Sequence, residues 1–339
     1  MKKLMTILMF ACVMLVISAC GSKNETESPK ENTGGGEKIR ISIGHINPET
    51  EEAQFHKGIE KFIELVDQKT DGAITFEVHP NGELGGEREM IEATQLGTLD
   101  MVVASTGPLG NFAKKSLALD FPFLFKDREH AYEVLDGEIG AEIDQQIEEN
   151  GFYNLAWWET GFRQLSNNQH PIAKPEDLKG LKIRTMENPV HLDAFKAFGA
   201  SPTPMAFTEL YTGLEQGVVD GQENPLTVIV PNKLYEVQEY LTISNHVYSP
   251  GVVLINKGKF DGLSPEIQQA IQEAATEARD YERKFVSDLE EELVQVMKDQ
   301  GVAVEENFDY DAFFKVTQSI YQKYDAEHGE ILNKILELQ

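Results

Sequence analysis

The 339-residue chain has only two cysteines, Cys12 and Cys20, and none beyond position 20. Disulfide frameworks, thiol catalysis and cysteine-ligated metals are therefore excluded from everything downstream. Arginine is nearly as scarce. Seven (Arg40, Arg88, Arg128, Arg163, Arg184, Arg279 and Arg283) stand among 30 basic residues, against 57 acidic ones. The formal charge of −27 argues against nucleic acid, which needs a basic face. A protein this acidic can hold an anion only by building a local positive pocket, and arginine is suited to that. Also missing are HExxH, GxSxG, a phosphate loop and a dinucleotide fingerprint. The eight histidines lack metal-ligand spacing. Glu51-Glu52 and Glu290-Glu291-Glu292 read as polar helical faces rather than acid–base pairs. Asn307, Asp309 and Asp311 alternate like a calcium loop, but Ala312 and Gln318 stand where glycine and a bidentate glutamate are needed. No catalytic residue, metal or cofactor is indicated.

What is present begins with an address. Lys2 and Lys3 precede an almost wholly apolar run from Leu4 to Ile17, followed by Ile17-Ser18-Ala19-Cys20. That run is shorter than the ~20 residues a membrane span needs. The pattern is a signal peptide over 1–19 with a cleavage site that resembles a bacterial lipobox, making Cys20 the lipidated first residue. Residues 20–38, rich in Glu, Ser, Asn, Thr and Gly, read as a flexible tether. The expected location is extracytoplasmic, held to the cell membrane by lipid.

The remaining ~300 residues suggest two lobes. Ile39, Ile41 and Ile43 alternate as a strand, and Phe55, Ile59, Phe62, Ile63 and Val66 recur at helical spacing. Ile74, Phe76 and Val78 form the next strand, Met90, Ile91 and Leu96 a helix after Gly85-Gly86, and Met101–Ala104 a buried strand. This α/β alternation predicts a mostly parallel sheet, with ligands at the carboxyl ends of its strands. A second such unit has strands at Leu155–Trp158 and Leu181–Met186 and helices at Pro189–Phe198 and Thr208–Gln216. Val218–Asp220 reads as a short extended piece, and Gly251–Ile255 as a strand returning to the first lobe. From Ser264 one apolar face persists to Gly301, a helix of ~35 residues and roughly 50 Å, long enough to pack across both lobes. Two helices, about Asp311–Tyr324 and His328–Leu338, finish the chain.

Arg184 ends the strand whose apolar face is Leu181 and Ile183, and Asn188-Pro189 opens a helix directly after it. An arginine so placed suits capture of a small anion. From geometry alone an ion pair with one of the many carboxylates serves equally well.

The stretch LKIRTMENP, GASPTPMAF, VDGQENP between Leu181 and Pro225 closely resembles the DctP-type substrate-binding proteins of TRAP transporters. So do GELGGEREM (Gly82–Met90), QLGTLDM (Gln95–Met101), DFPFLF (Asp120–Phe125), GFRQLSN (Gly161–Asn167) and PEDLKGLKIR (Pro175–Arg184). The matches span essentially the whole chain after the tether. The resemblance implies a two-lobed periplasmic-binding-protein-like fold with a long inter-lobe helix. Lobe I is expected over 39–161 plus 250–289, and lobe II over 162–249 plus 290–339. It implies a receptor that is not an enzyme, closing on a carboxylate and presenting it to the small and large membrane subunits of a permease. Arg184 matches the carboxylate-clamping arginine, Arg163 an assisting one, Asn224 an asparagine on the same ligand region, and Phe207 an apolar wall. Gln222 and Glu223 read as turn-shaping. From lobe I, Glu87 matches a ligand-facing acid, while Ser105, Thr106, His45 and Asn47 stand at strand ends facing the cleft. Glu187 departs from the apolar or amide residue of relatives that bind sialic acid. There an acid repels a second carboxylate and accepts bonds from sugar hydroxyls. The expected ligand is a hexuronate or aldonate, with a C4-dicarboxylate or 2-oxo acid as the alternative. A sensor for a membrane histidine kinase, or a tethered hydrolase of sugar acids, is the competing class.

Overall fold

The computed structural model describes residues 38–339. The expected signal peptide, Cys20 and the tether up to residue 37 lie outside the described residues. Strands in chain order are β1 (Ile39–Gly44), β2 (Ile74–His79), β3 (Met101–Ser105), β4 (Phe152–Phe162), β5 (Gln164–Asn167), β6 (Lys182–Thr185), β7 (Ser201–Pro204), β8 (Gly221–Asn224), β9 (Tyr240–Thr242), β10 (Tyr248–Asn256) and β11 (Ala303–Glu305). The α-helices are α1 (Gln54–Thr70), α2 (Glu87–Leu96), α3 (Thr106–Leu109), α4 (Arg128–Asp136), α5 (Glu138–Glu149), α6 (Pro189–Ala197), α7 (Phe207–Glu215), α8 (Leu226–Ile229), α9 (Lys257–Asp261), α10 (Pro265–Asp299) and α11 (Tyr310–Leu336).

They build two sheets, β2-β1-β3-β10-β4 and β11-β9-β5-β8-β6-β7. In the first, β1 pairs in parallel with β2 and β3, but β10 runs antiparallel between β3 and β4, so the sheet is mixed rather than mostly parallel. The cause is topological: β10 enters from the second sheet and must cross the first in the opposite sense. Successive side chains leave a strand on opposite faces. Val102, Trp157, Val252 and Leu254 accordingly pack with Met90, Val134 and Ile143 of α2, α4 and α5. Their neighbours Val103, Trp158, Val253 and Ile255 pack with Phe55 and Phe62 of α1 and with Ile271, Ala274 and Ala278 of α10. The contact is tight enough that a Cβ on Gly58 would lie 2.5 Å from the Trp158 ring.

α10 is the long helix expected from the sequence, opened by Ser264, whose hydroxyl accepts from the Ile267 N–H, and by Pro265. Its first half lies in the core of the first sheet, while Leu293 and Met297 join Leu210, Leu214 and Leu241 beside the second. One continuous helix thus serves both lobes. α11 does the same, which differs from the two separate helices expected: nothing between Tyr324 and His328 breaks the helix. Phe313 packs with Ile183 and Phe195 beside the second sheet, and Ile320, Ile331 and Ile335 pack with Phe121 and Ile139 on the first-sheet side. Val218–Asp220 is a bend, not a strand. Asp220 holds Lys182 N–H through its carboxylate (2.8 Å), and the extended piece starts one residue later as β8. The polar Glu51-Glu52 pair lies in a turn before α1 rather than on a helix. Gly161, at φ +118°, turns the chain out of β4 toward β5 of the other sheet, in the left-handed region where glycine is unstrained.

Candidate functional site

Arg184 sits on β6 between β7 and β8, 2 % exposed. Its Nε donates to the Met205 carbonyl at 3.0 Å, and its guanidinium carbon is 5.9 Å from the centre of the Phe207 ring. Its Nη1 is buried without a protein partner. Burial lowers its pKa to about 10, with the Glu223 charge opposing the shift, so the side chain stays cationic at neutral pH. Beside it is a crevice of about 10 Å³, room for roughly one water, that also touches Glu87, Arg88, Met186, Glu187 and Phe207.

Arg163 has its charge already matched. From the start of the β4–β5 connection it donates through Nε to Glu223 Oε2 and through Nη2 to Glu223 Oε1 (3.0 Å), the Glu223 carbonyl (2.6 Å) and Asn224 Oδ1 (2.9 Å). Burial alone would raise the Glu223 carboxyl. Arg163, with His246 and His191 close by, outweighs it and holds that carboxyl well below the usual range. Burial drops His191 to about 3, so it stays neutral beside Glu223. Asn224 spends its amide on Gln222 Oε1 at 2.5 Å. Glu223, read from sequence as a turn residue, is therefore the counterion of Arg163. No signal in the polar run Gly221–Asn224 marked it, because the burial of that strand, which obliges its charge to find a partner, is set by the tertiary packing.

Glu87 opens α2 and accepts from Ser105 N–H (2.6 Å) and Ser105 Oγ (3.0 Å). Burial raises its pKa, against those bonds and the fields of Arg184 and Arg163. Thr106 turns away to Asp120 Oδ1 (2.8 Å). Asn188, the cap of α6, donates to Asp120 Oδ2 (2.8 Å) and the Gly107 carbonyl (3.1 Å), tying the second-sheet side to the first. Glu187 accepts from Arg88 Nη1 at 2.9 Å. His45 and Asn47 do not line the Arg184 crevice. They flank Ile46, which with Phe207 lines a neighbouring one. His45 Nε2 is 3.4 Å from His56 Nδ1, and burial first, then His56, lowers its pKa to about 3. Asn47 Oδ1 accepts from Phe55 N–H (3.3 Å), while His45 Nδ1, Asn47 Nδ2 and both amide atoms of Gln54 are buried without partners. Sequence reasoning had missed Arg88, Asp120 and Gln54. Among the described residues no group of three or more His, Cys, Asp or Glu could hold a metal ion, and no helix is long and apolar enough to cross a membrane.

Burial raises Asp120 to about 7, against its bonds from Thr106 and Asn188. A carboxyl whose native pKa lies above its unfolded 3.8 stabilises the fold fully below about pH 4, and that contribution is lost as pH rises through 7. Carbon-13 NMR of the Asp120 carboxyl is expected to show a midpoint near neutrality. A midpoint in the ordinary aspartate range would remove this source of pH dependence.

Residues 43–327 match the family described as bacterial extracellular solute-binding protein, family 7 (DctP). The 2,3-diketo-L-gulonate-binding periplasmic protein YiaO of Escherichia coli is 42 % identical over 288 residues, covering 84 % of this chain and 88 % of the relative. The C4-dicarboxylate-binding periplasmic protein DctP of Rhodobacter capsulatus is 38 % identical over 269 residues, covering 78 % and 79 %. Among solved structures, a TRAP periplasmic solute-binding protein from Polaromonas bound to D-erythronate superposes with a TM-score of 0.86 at 42 % identity, covering 88 % of this chain and 98 % of the other.

Proposed function

The chain belongs to the DctP family, the solute receptors of TRAP transporters and not enzymes, and from that premise we propose that it captures a sugar acid, a hexuronate or aldonate, for a membrane permease. The observation that carries the ligand's anionic end is the Nη1 of Arg184, a buried cationic donor without a protein partner beside a crevice. A planar guanidinium meets a carboxylate with two parallel donors, which a lysine cannot reproduce. Phe207 walls the same crevice, and Arg163 is assigned to assist, its charge being felt at Arg184. Asn224 and Thr106, which also bond protein groups, are assigned to the same ligand region. The polyol chain is assigned to Glu87, Ser105 and Glu187, with the unpartnered His45 Nδ1 and Asn47 Nδ2 at the far end. Binding favours the closed arrangement because only there do both lobes reach the ligand.

The sugar-acid reading is supported by the names of two relatives, a diketogulonate binder and a structure holding erythronate. A dicarboxylate is the second reading, favoured by the Rhodobacter relative. We further assign 1–19 to a lipoprotein signal peptide and Cys20 to a lipid anchor, on the lipobox-like run. A ligand at 100 times its Kd stabilises by ~2.7 kcal/mol, which for a folded unit of this size is on the order of 4 °C in melting temperature. A thermal-shift panel of uronates, aldonates, dicarboxylates, 2-oxo acids and sialic acid is expected to show that rise with a sugar acid. A rise with a dicarboxylate alone replaces the first reading by the second.

A further inference from the structure

We propose that Arg88 is a specificity-determining residue: a second arginine at the ligand crevice, kept from the ligand by Glu187, so that the pair fixes at one the number of carboxylates the site accepts. This rests on the receptor reading above and deepens it. Arg88 lies in the first turn of α2, Glu187 just past the end of β6, 99 positions away and beside the other sheet. Their side chains meet at 2.9 Å and both line the crevice beside Arg184.

The other arginines divide clearly. Arg163 is fully buried with its charge matched by Glu223, although its Nη1 also lacks a hydrogen-bond partner. Arg128 is held by Glu159 and Glu290, Arg279 and Arg283 by Asp136, and Arg40 by Glu77, all away from the crevice. Arg184 keeps a buried donor free. Arg88 alone is both at the crevice and held by a partner that can leave, because its side chain is 47 % exposed and that of Glu187 31 %. Exposed pairs of this kind contribute little to stability. Holding the lobes together falls instead to buried bonds such as those of Asn188.

The consequence is a charge rule. A ligand with one carboxylate takes Arg184 and leaves the pair intact. A second carboxylate reaching Arg88 must displace Glu187, and the two acids then compete for one guanidinium. Removing the charge of Glu187 frees Arg88 to accept the second carboxylate with its planar fork.

The test compares matched ligands of equal chain length, erythronate against meso-tartrate and galactonate against galactarate, by titration calorimetry. Wild type is expected to prefer the monocarboxylate. Glu187→Gln is expected to improve the dicarboxylate at least ~tenfold relative to its partner. In the Arg88→Gln/Glu187→Gln double variant that gain is expected to vanish, which separates a grip by Arg88 from mere loss of repulsion. A gain that persists in the double variant overturns the role of Arg88. An unchanged ratio in Glu187→Gln, in a protein that still binds the monocarboxylate, overturns the charge rule and leaves the receptor reading standing. Wild type that binds a dicarboxylate as tightly as its matched monocarboxylate overturns the charge rule, and wild type stabilised by no acid of the thermal-shift panel overturns the receptor reading. Both side chains are partly exposed, so unchanged melting temperatures are expected and check that the variants fold.

Discussion

Arg184→Lys is expected to weaken carboxylate binding at least ~tenfold, about 1.4 kcal/mol, and Arg184→Ala on the order of a hundredfold. Hydrogen bonds to charged groups contribute ~1.5–3 kcal/mol each, and the fork of Arg184 can serve two partners at once. Its Nε stays with the Met205 carbonyl while the buried Nη1 has no hydrogen-bond partner in the protein. A lysine ammonium is a single point of charge on a thinner stem. It cannot hold Met205 and present a second, parallel donor, nor lie flat near the Phe207 ring. Calorimetry with the ligand found by thermal shift reads the change. Affinity of Arg184→Lys within a factor of two of wild type would sink the clamp.

Glu223→Gln is expected to lower stability by about 3–5 kcal/mol at neutral pH, the usual result of removing one partner of a buried pair. Glu223 and Arg163 are both fully buried, and the amide leaves the guanidinium uncompensated. The sign with pH follows from the depressed pKa of Glu223. Its contribution is present above the unfolded value of 4.5 and is lost as pH falls toward the much lower native value. Urea unfolding from pH 7 to pH 3 should therefore show wild type converging on the variant in acid. The Arg163→Met/Glu223→Gln double variant should recover part of the loss, because no charge is then stranded. An unchanged urea midpoint for Glu223→Gln would show that the pair does not carry the strand junction.

The sequence was most legible where periodicity and capping speak. Asn188-Pro189 reads as a helix start, and Asn188 Oδ1 does accept from Val190 N–H (2.8 Å) and His191 N–H (3.2 Å). The unbroken apolar face from Ser264 reads as one long helix, and α10 is one. It was least legible where a residue has two jobs. The Nδ2 of the same Asn188 crosses to Asp120, 68 positions away, and no local pattern marks that. Val218–Asp220 has the β-branched composition of a strand, yet Gly217 at φ +68° turns it into a bend. The antiparallel sense of β10 and the passage of α11 across both lobes depend on where distant segments dock.

By itself, then, the sequence determined the segments, their buried faces and the position of Arg184 at the end of a strand before a capped helix. Periodicity and local hydrogen bonding act over a few residues and are written in order along the chain. Only the tertiary structure decided how the arginines are spent: Arg163 on Glu223, Arg88 on Glu187, and Arg184 with a buried donor to spare. Those pairings join residues 60 and 99 positions apart. A hydrogen bond forms or fails over a few tenths of an ångström, a distance set by the packing of two sheets and no pattern along one strand.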